Sequence, residues 1–174
     1  PVCADPPPAM YAVLPGVERF RSDPEPSVRY DLLVISDAGP LERSGAVFER
    51  HRDLMTSLPR VTLDHHVSSQ AGTPADWIDG GYAATCEMVA LLAVRLGIPL
   101  DIDDGALATA LLAGIVTDTA TFAHPNATPR TLRIAAALME AGGGLSDLSV
   151  RFYRTKPIAQ LRLLGRVLAR LEAS

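Results

Sequence analysis

Cysteine is scarce: Cys3 and Cys86 lie far apart and form no Cys-x-x-Cys pair. That argues against a disulfide framework and a thiolate metal site, and it suits a reducing cytoplasm. No stretch approaches the roughly eighteen uninterrupted apolar residues of a membrane span, and the N-terminus lacks the basic-then-apolar order of a secretory signal. A soluble, cytoplasmic protein with no membrane partner is therefore expected. Lysine is nearly absent, since Lys156 is the single lysine among 16 basic residues. So uniform an arginine bias points to genome base composition more than to phosphate recognition. A formal charge of -4 argues against a general nucleic-acid coat but leaves room for a small basic pocket. Internal repeats and low-complexity segments are missing, and 174 residues suit one main domain.

What the chain does have is an apolar run, Val61-Thr62-Leu63, ending abruptly in Asp64-His65-His66. It reads as a buried strand whose carboxyl end opens into a crevice, the edge at which open α/β sheets bind ligands. On an extended backbone, Asp64 and His66 share one side and His65 projects to the other. Upstream, Tyr30 to Ser36 is a second apolar run, of the kind a parallel strand buried on both faces requires, and it ends at Asp37. Between the two, Leu41 to Thr56 has helical spacing, so strand, helix and strand form a right-handed parallel crossover with both acidic ends on one edge. Seven of the 14 prolines fall before Ser27 and forbid a long helix or central strand there. Val2-Cys3-Ala4 suits the tail of a strand, and Ala9 to Leu14 a single helical turn.

Downstream, Trp77-Ile78 suits a short strand, and Tyr82 to Leu96 a largely buried helix ended by Gly97. Asp101 to Asp104 cap a helix from Gly105 to about Val116 that is apolar almost all round and delivers Thr117-Asp118-Thr119 beside the core. Thr128-Pro129 is an N-cap with proline at the first helical position, starting a helix to Ala141. Gly142-Gly143-Gly144 follows a helix and lacks a P-loop's Lys-Ser/Thr, so it reads as a C-cap, not a phosphate cradle. Pro157 to Glu172 is amphipathic: a Leu161, Leu164, Leu168 and Leu171 face opposes Arg162, Arg166 and Arg170. The arginines read as the wet side of a packed helix, and the leucines offer a face for pairing with a second copy. His51 and His124 lack carboxylates at useful spacing and read as surface residues.

The candidates for chemistry are thus Asp37, Asp64, His65, His66 and Asp118, each at the end of an apolar element. Hard carboxylates mixed with imidazole suit Mn²⁺, Mg²⁺ or Zn²⁺. A carboxylate bridging two cations about 3.5–4 Å apart suits in-line hydrolysis of a phosphoester. The bland alternative is a strand end whose polar residues merely cap the next turn.

Leu63-Asp64-His65-His66 resembles the signature that names the DHH phosphoesterase family. Leu33-Val34-Ile35-Ser36-Asp37 resembles the family's second motif, and Gly114-Ile115-Val116-Thr117-Asp118-Thr119-Ala120-Thr121-Phe122 its later Gly-x-x-x-Asp-Thr motif. Leu161 to Leu168 resembles the connector helix of the branch containing NrnA-type oligoribonucleases. The resemblance implies an α/β, Rossmann-like domain with a mostly parallel sheet flanked by helices over residues 1–148, and connector helices over 149–174. It implies that Asp37 bridges two Mn²⁺ ions, with Mg²⁺ or Co²⁺ as alternatives, and that His65 and Asp118 ligate one of them. His66 would face the substrate phosphate, Asp64 would orient a ligand, and Thr119, Asn126 and Arg130 would contact substrate.

Two departures stand out. The family's first motif, His-x-x-Pro-Asp-x-Asp, is absent, and so is its C-terminal substrate-binding segment, so the chain reads as an enzyme's middle with weak or no activity alone. The implied parent activity is hydrolysis of short single-stranded RNA or linear dinucleotides, with 3′-phosphoadenosine 5′-phosphate and other nucleotide phosphates as further substrates. Family II inorganic pyrophosphatase, exopolyphosphatase and RecJ-like exonuclease are rivals within the same chemistry. A non-catalytic nucleotide- or partner-binding module is the rival from another class.

Overall fold

The computed structural model describes residues 1–171. Its sheet has three parallel strands in the order β1-β2-β3: β1 is Leu33–Ser36, β2 Arg60–Asp64 and β3 Trp77–Ile78. Leu33 lies opposite Arg60 and Ser36 opposite Leu63, while Leu63 and Asp64 lie opposite Trp77 and Ile78. β1 and β2 are linked by a 3-10 turn, Leu41–Ser44, and helix α1, Ala46–Ser57. Parallel pairing through a helical crossover brings all the carboxyl ends to one edge. This is the α/β class that the apolar runs imply.

β1 departs from expectation. The strand omits Tyr30 to Leu32, and it is covered on one face alone: Ile35 is buried, but Val34 is 56% exposed. α1 packs on the Ile35 face of β1, and the opposite face, which carries Val34, meets no second layer among the described residues.

The larger core gathers α2 (Thr85–Arg95), α3 (Ile102–Asp118), α4 (Pro129–Glu140) and α5 (Leu145–Ser149) around Leu112, Ile115, Val116 and Leu138. A smaller cluster, Ile35, Leu41, Val47, Phe48 and Met55, packs α1 on β1. α2 starts at Thr85 instead of Tyr82, because Glu87 reaches back from the third helical position to accept the Ala83 N–H at 2.8 Å and holds Ala84 extended. α3 has left-handed backbone at Asp103, Asp104 and Gly105, so its regular turns begin after Gly105. Gly105 tolerates no Cβ, which would lie 2.7 Å from the Ala141 carbonyl. Thr128 and Thr131 form a capping box that starts α4. That helix ends as the triple glycine implies: Gly142 has φ 101°, and the Gly142 and Gly143 N–H groups donate to Met139 and Leu138.

The proline-rich start keeps to its expectation, and two other expectations are corrected. The proline-rich start forms 3-10 turns at Ala9–Tyr11 and Val17–Arg19 and a single parallel bridge between Val2 and Arg21. His51 has a carboxylate partner after all, Asp23 at 2.8 Å, a contact 28 residues apart that spacing arguments do not reach. Arg50 shares that oxygen, and the bonds from His51, Ser22 and Arg50 hold the Asp23 carboxyl down at about 2. Finally, a π-helical turn, Val150–Arg154, leads to α6, Ile158–Leu168, whose leucines are as exposed as its arginines. The wet side of a packed helix is therefore not what Arg162 and Arg166 form. Glu172 to Ser174, assigned from sequence to the end of that helix and connector, lie outside the described residues. No described helix is long and apolar enough to cross a membrane.

Candidate metal centre at the strand ends

Three chain segments deliver the site. Asp37 follows β1 with φ 63°, its N–H donating to the Leu63 carbonyl at 2.9 Å, so the turn is pinned to β2. The Thr85 hydroxyl donates to Asp37 Oδ1 at 2.7 Å from the start of α2. His65 and His66 follow β2, and Asp118 closes α3. His65 Nε2 lies 3.5 Å from Asp37 Oδ1 and 3.6 Å from Asp118 Oδ2.

The extended-chain expectation that His65 and His66 face opposite ways fails. β2 ends at Asp64, the chain turns, and the two rings sit 4.5 Å apart, both beside Asp37. One ligand atom from each of Asp37, His65 and His66 falls within a 4.8 Å cluster. Hydrogen bonding separates the two imidazoles. His65 Nδ1 lies 3.3 Å from the Tyr82 carbonyl, which can only accept, so Nδ1 is the donor there and Nε2 faces the two carboxylates. His66 Nδ1 lies 2.6 Å from Asp64 Oδ1 and is committed as a donor there. His65 is thus the imidazole with a free nitrogen between Asp37 and Asp118.

Asp64 and Asp118 carry opposite electrostatics. Burial alone would push the Asp64 carboxyl up, but bonds from the Ser69 hydroxyl at 2.5 Å, the His66 N–H at 3.1 Å and the His66 ring outweigh it and hold Asp64 below the usual carboxylate value. Asp118 is pushed up, by burial first and by the Asp37 charge second, and the two imidazoles offset this only in part. Among the described residues no donor comes within hydrogen-bond distance of its carboxylate. Beneath them the Cys86 thiol is pushed up to about 12 by burial, then by Asp118 and Asp37, so it stays protonated.

The three residues expected to contact substrate are all engaged within the fold. Thr119 is buried, donating to the Ile115 carbonyl at 2.6 Å and accepting from the Phe122 N–H at 3.0 Å. Asn126 donates from Nδ2 to the carbonyls of Ala83 at 3.1 Å and Asp118 at 3.2 Å. Arg130 Nε donates to Glu87 Oε1 at 2.9 Å, Nη2 donates to the Gly81 carbonyl, and the guanidinium lies 3.8 Å from the Tyr82 ring centroid. Three residues that sequence reasoning missed support the site: Ser69, Thr85 and the fully buried Glu87. Glu87 had a legible signal, a lone carboxylate in an otherwise apolar helix. After Thr119, Ala120, Thr121 and Phe122 all have positive φ, a run of strained backbone beside the candidate ligand Asp118.

No family model matches the chain. It is 31% identical over 143 residues to the uncharacterized protein MG371 of Mycoplasma genitalium, covering 82% of this chain and 41% of that protein. It is 36% identical over 109 residues to the bifunctional oligoribonuclease and PAP phosphatase NrnA of Thermus thermophilus, covering 63% of this chain and 32% of NrnA. The chain thus spans well under half the length of these curated relatives. Among solved structures, an exopolyphosphatase-related protein from Bacteroides fragilis superposes with a TM-score of 0.81 and 21% identity, over 99% of this chain and 52% of that one. That likeness establishes a shared fold. The homology to NrnA, with the Asp37, Asp64-His65-His66 and Asp118 motifs brought to one edge, supports a DHH-family phosphoesterase.

Proposed function

We propose that this chain is the metal-holding part of a phosphodiesterase that hydrolyses short oligoribonucleotides or linear dinucleotides, and 3′-phosphoadenosine 5′-phosphate as a further substrate. The observation that carries the reading is His65 Nε2, placed 3.5 and 3.6 Å from carboxylates at the ends of two other elements. The residues fit a divalent cation. Asp118 and Asp37 repel one another and leave the half-buried Asp118 without a described donor, and their oxygens with one imidazole nitrogen form a hard, mixed donor set suited to Mn²⁺ or Mg²⁺. Asp37, His65 and Asp118 would hold it, and when bound it would supply Lewis-acid polarisation of a phosphoryl oxygen.

The chain's own groups do the rest. Asp64, saturated by Ser69 and His66, fixes the His66 ring with its proton on Nδ1. His66 is more exposed than His65, which suits it to meet the substrate phosphate and stabilise charge gathering there. The activity of the Thermus relative favours the oligoribonucleotide branch over pyrophosphate or long DNA.

The test compares a linear dinucleotide, 3′-phosphoadenosine 5′-phosphate, inorganic pyrophosphate and long single-stranded DNA in the presence of Mn²⁺. Slow, Mn²⁺-dependent turnover of the first two, abolished by Asp37→Asn, is expected. Preference for pyrophosphate or long DNA would overturn the substrate reading. Turnover unaffected by Asp37→Asn would overturn the site.

A further inference from the structure

Glu87 is fully buried, and a buried carboxylate is costly unless it is paired and hydrogen-bonded. Here both oxygens are bonded. Oε2 accepts from the Ala83 N–H at 2.8 Å and from the Thr131 hydroxyl at 3.5 Å, and Oε1 accepts from Arg130 Nε at 2.9 Å. Docking α4 on α2 would need no more than the ion pair. Yet the pair also grips the loop before α2 from two sides: Arg130 Nη2 takes the Gly81 carbonyl, its guanidinium covers one face of Tyr82, and Trp77 meets that ring edge-on with centroids 5.5 Å apart. Asn126 completes the hold, its one amide nitrogen reaching both the Ala83 and Asp118 carbonyls. At the middle of this fixed stretch is the Tyr82 carbonyl, and it accepts the His65 Nδ1 proton.

We propose that the Glu87–Arg130 pair is a positioning device for His65: by fixing the Gly81–Ala83 backbone it holds the carbonyl that keeps the imidazole proton on Nδ1 and leaves Nε2 bare toward Asp37 and Asp118. Glu87 and Arg130 act through the backbone and touch no reacting atom. The inference deepens the metal-holding reading of His65 and rests on it for its consequence, but not for its geometry. Backbone carbonyls that orient an imidazole commonly set its ligand strength as well as its angle.

The test is nitrogen-resolved NMR of the His65 ring in the metal-free chain, above the ordinary imidazole titration range, alongside Mn²⁺ calorimetry. Wild type should show the proton on Nδ1. Arg130→Lys keeps a cation for Glu87 but cannot span Gly81, Tyr82 and Glu87 together; Glu87→Gln removes the charge. Both variants should mix the two tautomers and weaken Mn²⁺ binding about tenfold to a hundredfold. If Glu87→Gln fails to fold, Arg130→Lys carries the test, with circular dichroism to show that it is folded. A folded Arg130→Lys with an unchanged Nδ1 proton would overturn the proposal. A wild-type chain that binds no Mn²⁺, with variants that still shift the tautomer, would support the brace and reject the metal reading instead.

Discussion

The end of β2 and the end of α3 each carry a carboxylate, the first fully buried and the second half-buried, and the fold treats the two in opposite ways. Asp64 is 0% exposed and receives the Ser69 hydroxyl, the His66 N–H and the His66 ring, so its charge is satisfied by the chain. Asp118 receives none of these, faces the Asp37 charge and is pushed toward protonation. Burial alone therefore says little about a carboxylate's role; the supply of donors does. A saturated carboxylate holds its neighbours in place, while an unsatisfied one beside a like charge leaves a position for a cation.

Removing the charge at each end should break the symmetry of that comparison. Asp64→Asn removes the charge that strengthens the bonds from His66 and Ser69 and should cost about 3 kcal/mol of stability in urea unfolding. Asp118→Asn should instead leave the metal-free chain as stable as wild type or more so, while its Mn²⁺ binding is lost. Equal destabilisation by both substitutions would contradict the distinction.

Acid titration sharpens it further, with a smaller effect. A carboxyl raised in the folded chain, as Asp118 is, penalises folding above its folded value, so stability without metal rises as pH falls through that value toward the ordinary carboxylate range. A carboxyl held low, as Asp64 is, contributes stability that is full above the ordinary value and is lost as pH falls through the folded one. Urea midpoints measured in EDTA should therefore rise and then fall on acidification. Asp118→Asn should abolish the rise and keep the fall.

Much of this arrangement was legible in the chain. The runs ending at Asp37 and Asp64 announce parallel strands because apolar stretches cut off by charge are what a sheet's carboxyl edge requires, and Thr128-Pro129 and the glycines after Ala141 punctuate α4 through backbone chemistry alone. Long-range choices were not legible. Whether Val34 is covered depends on what lies beside β1, and the His51–Asp23 pair depends on how a proline-rich loop returns to α1. The facing of His65 and His66 turned on where β2 stops, a one-residue matter that alternation cannot decide. Thr119, Asn126 and Arg130 have side chains suited to a phosphate, and the fold engages each in its own framework. Glu87, passed over as part of an apolar helix, is at the centre of that framework.

Calorimetric titration of Mn²⁺ into this chain, into His65→Ala and into Asp118→Asn tests the central claim most directly, because it reads the cation position without requiring turnover. The account predicts micromolar binding to the wild-type chain and none to either variant. Binding that survives both substitutions, or no binding to the wild-type chain, would contradict it.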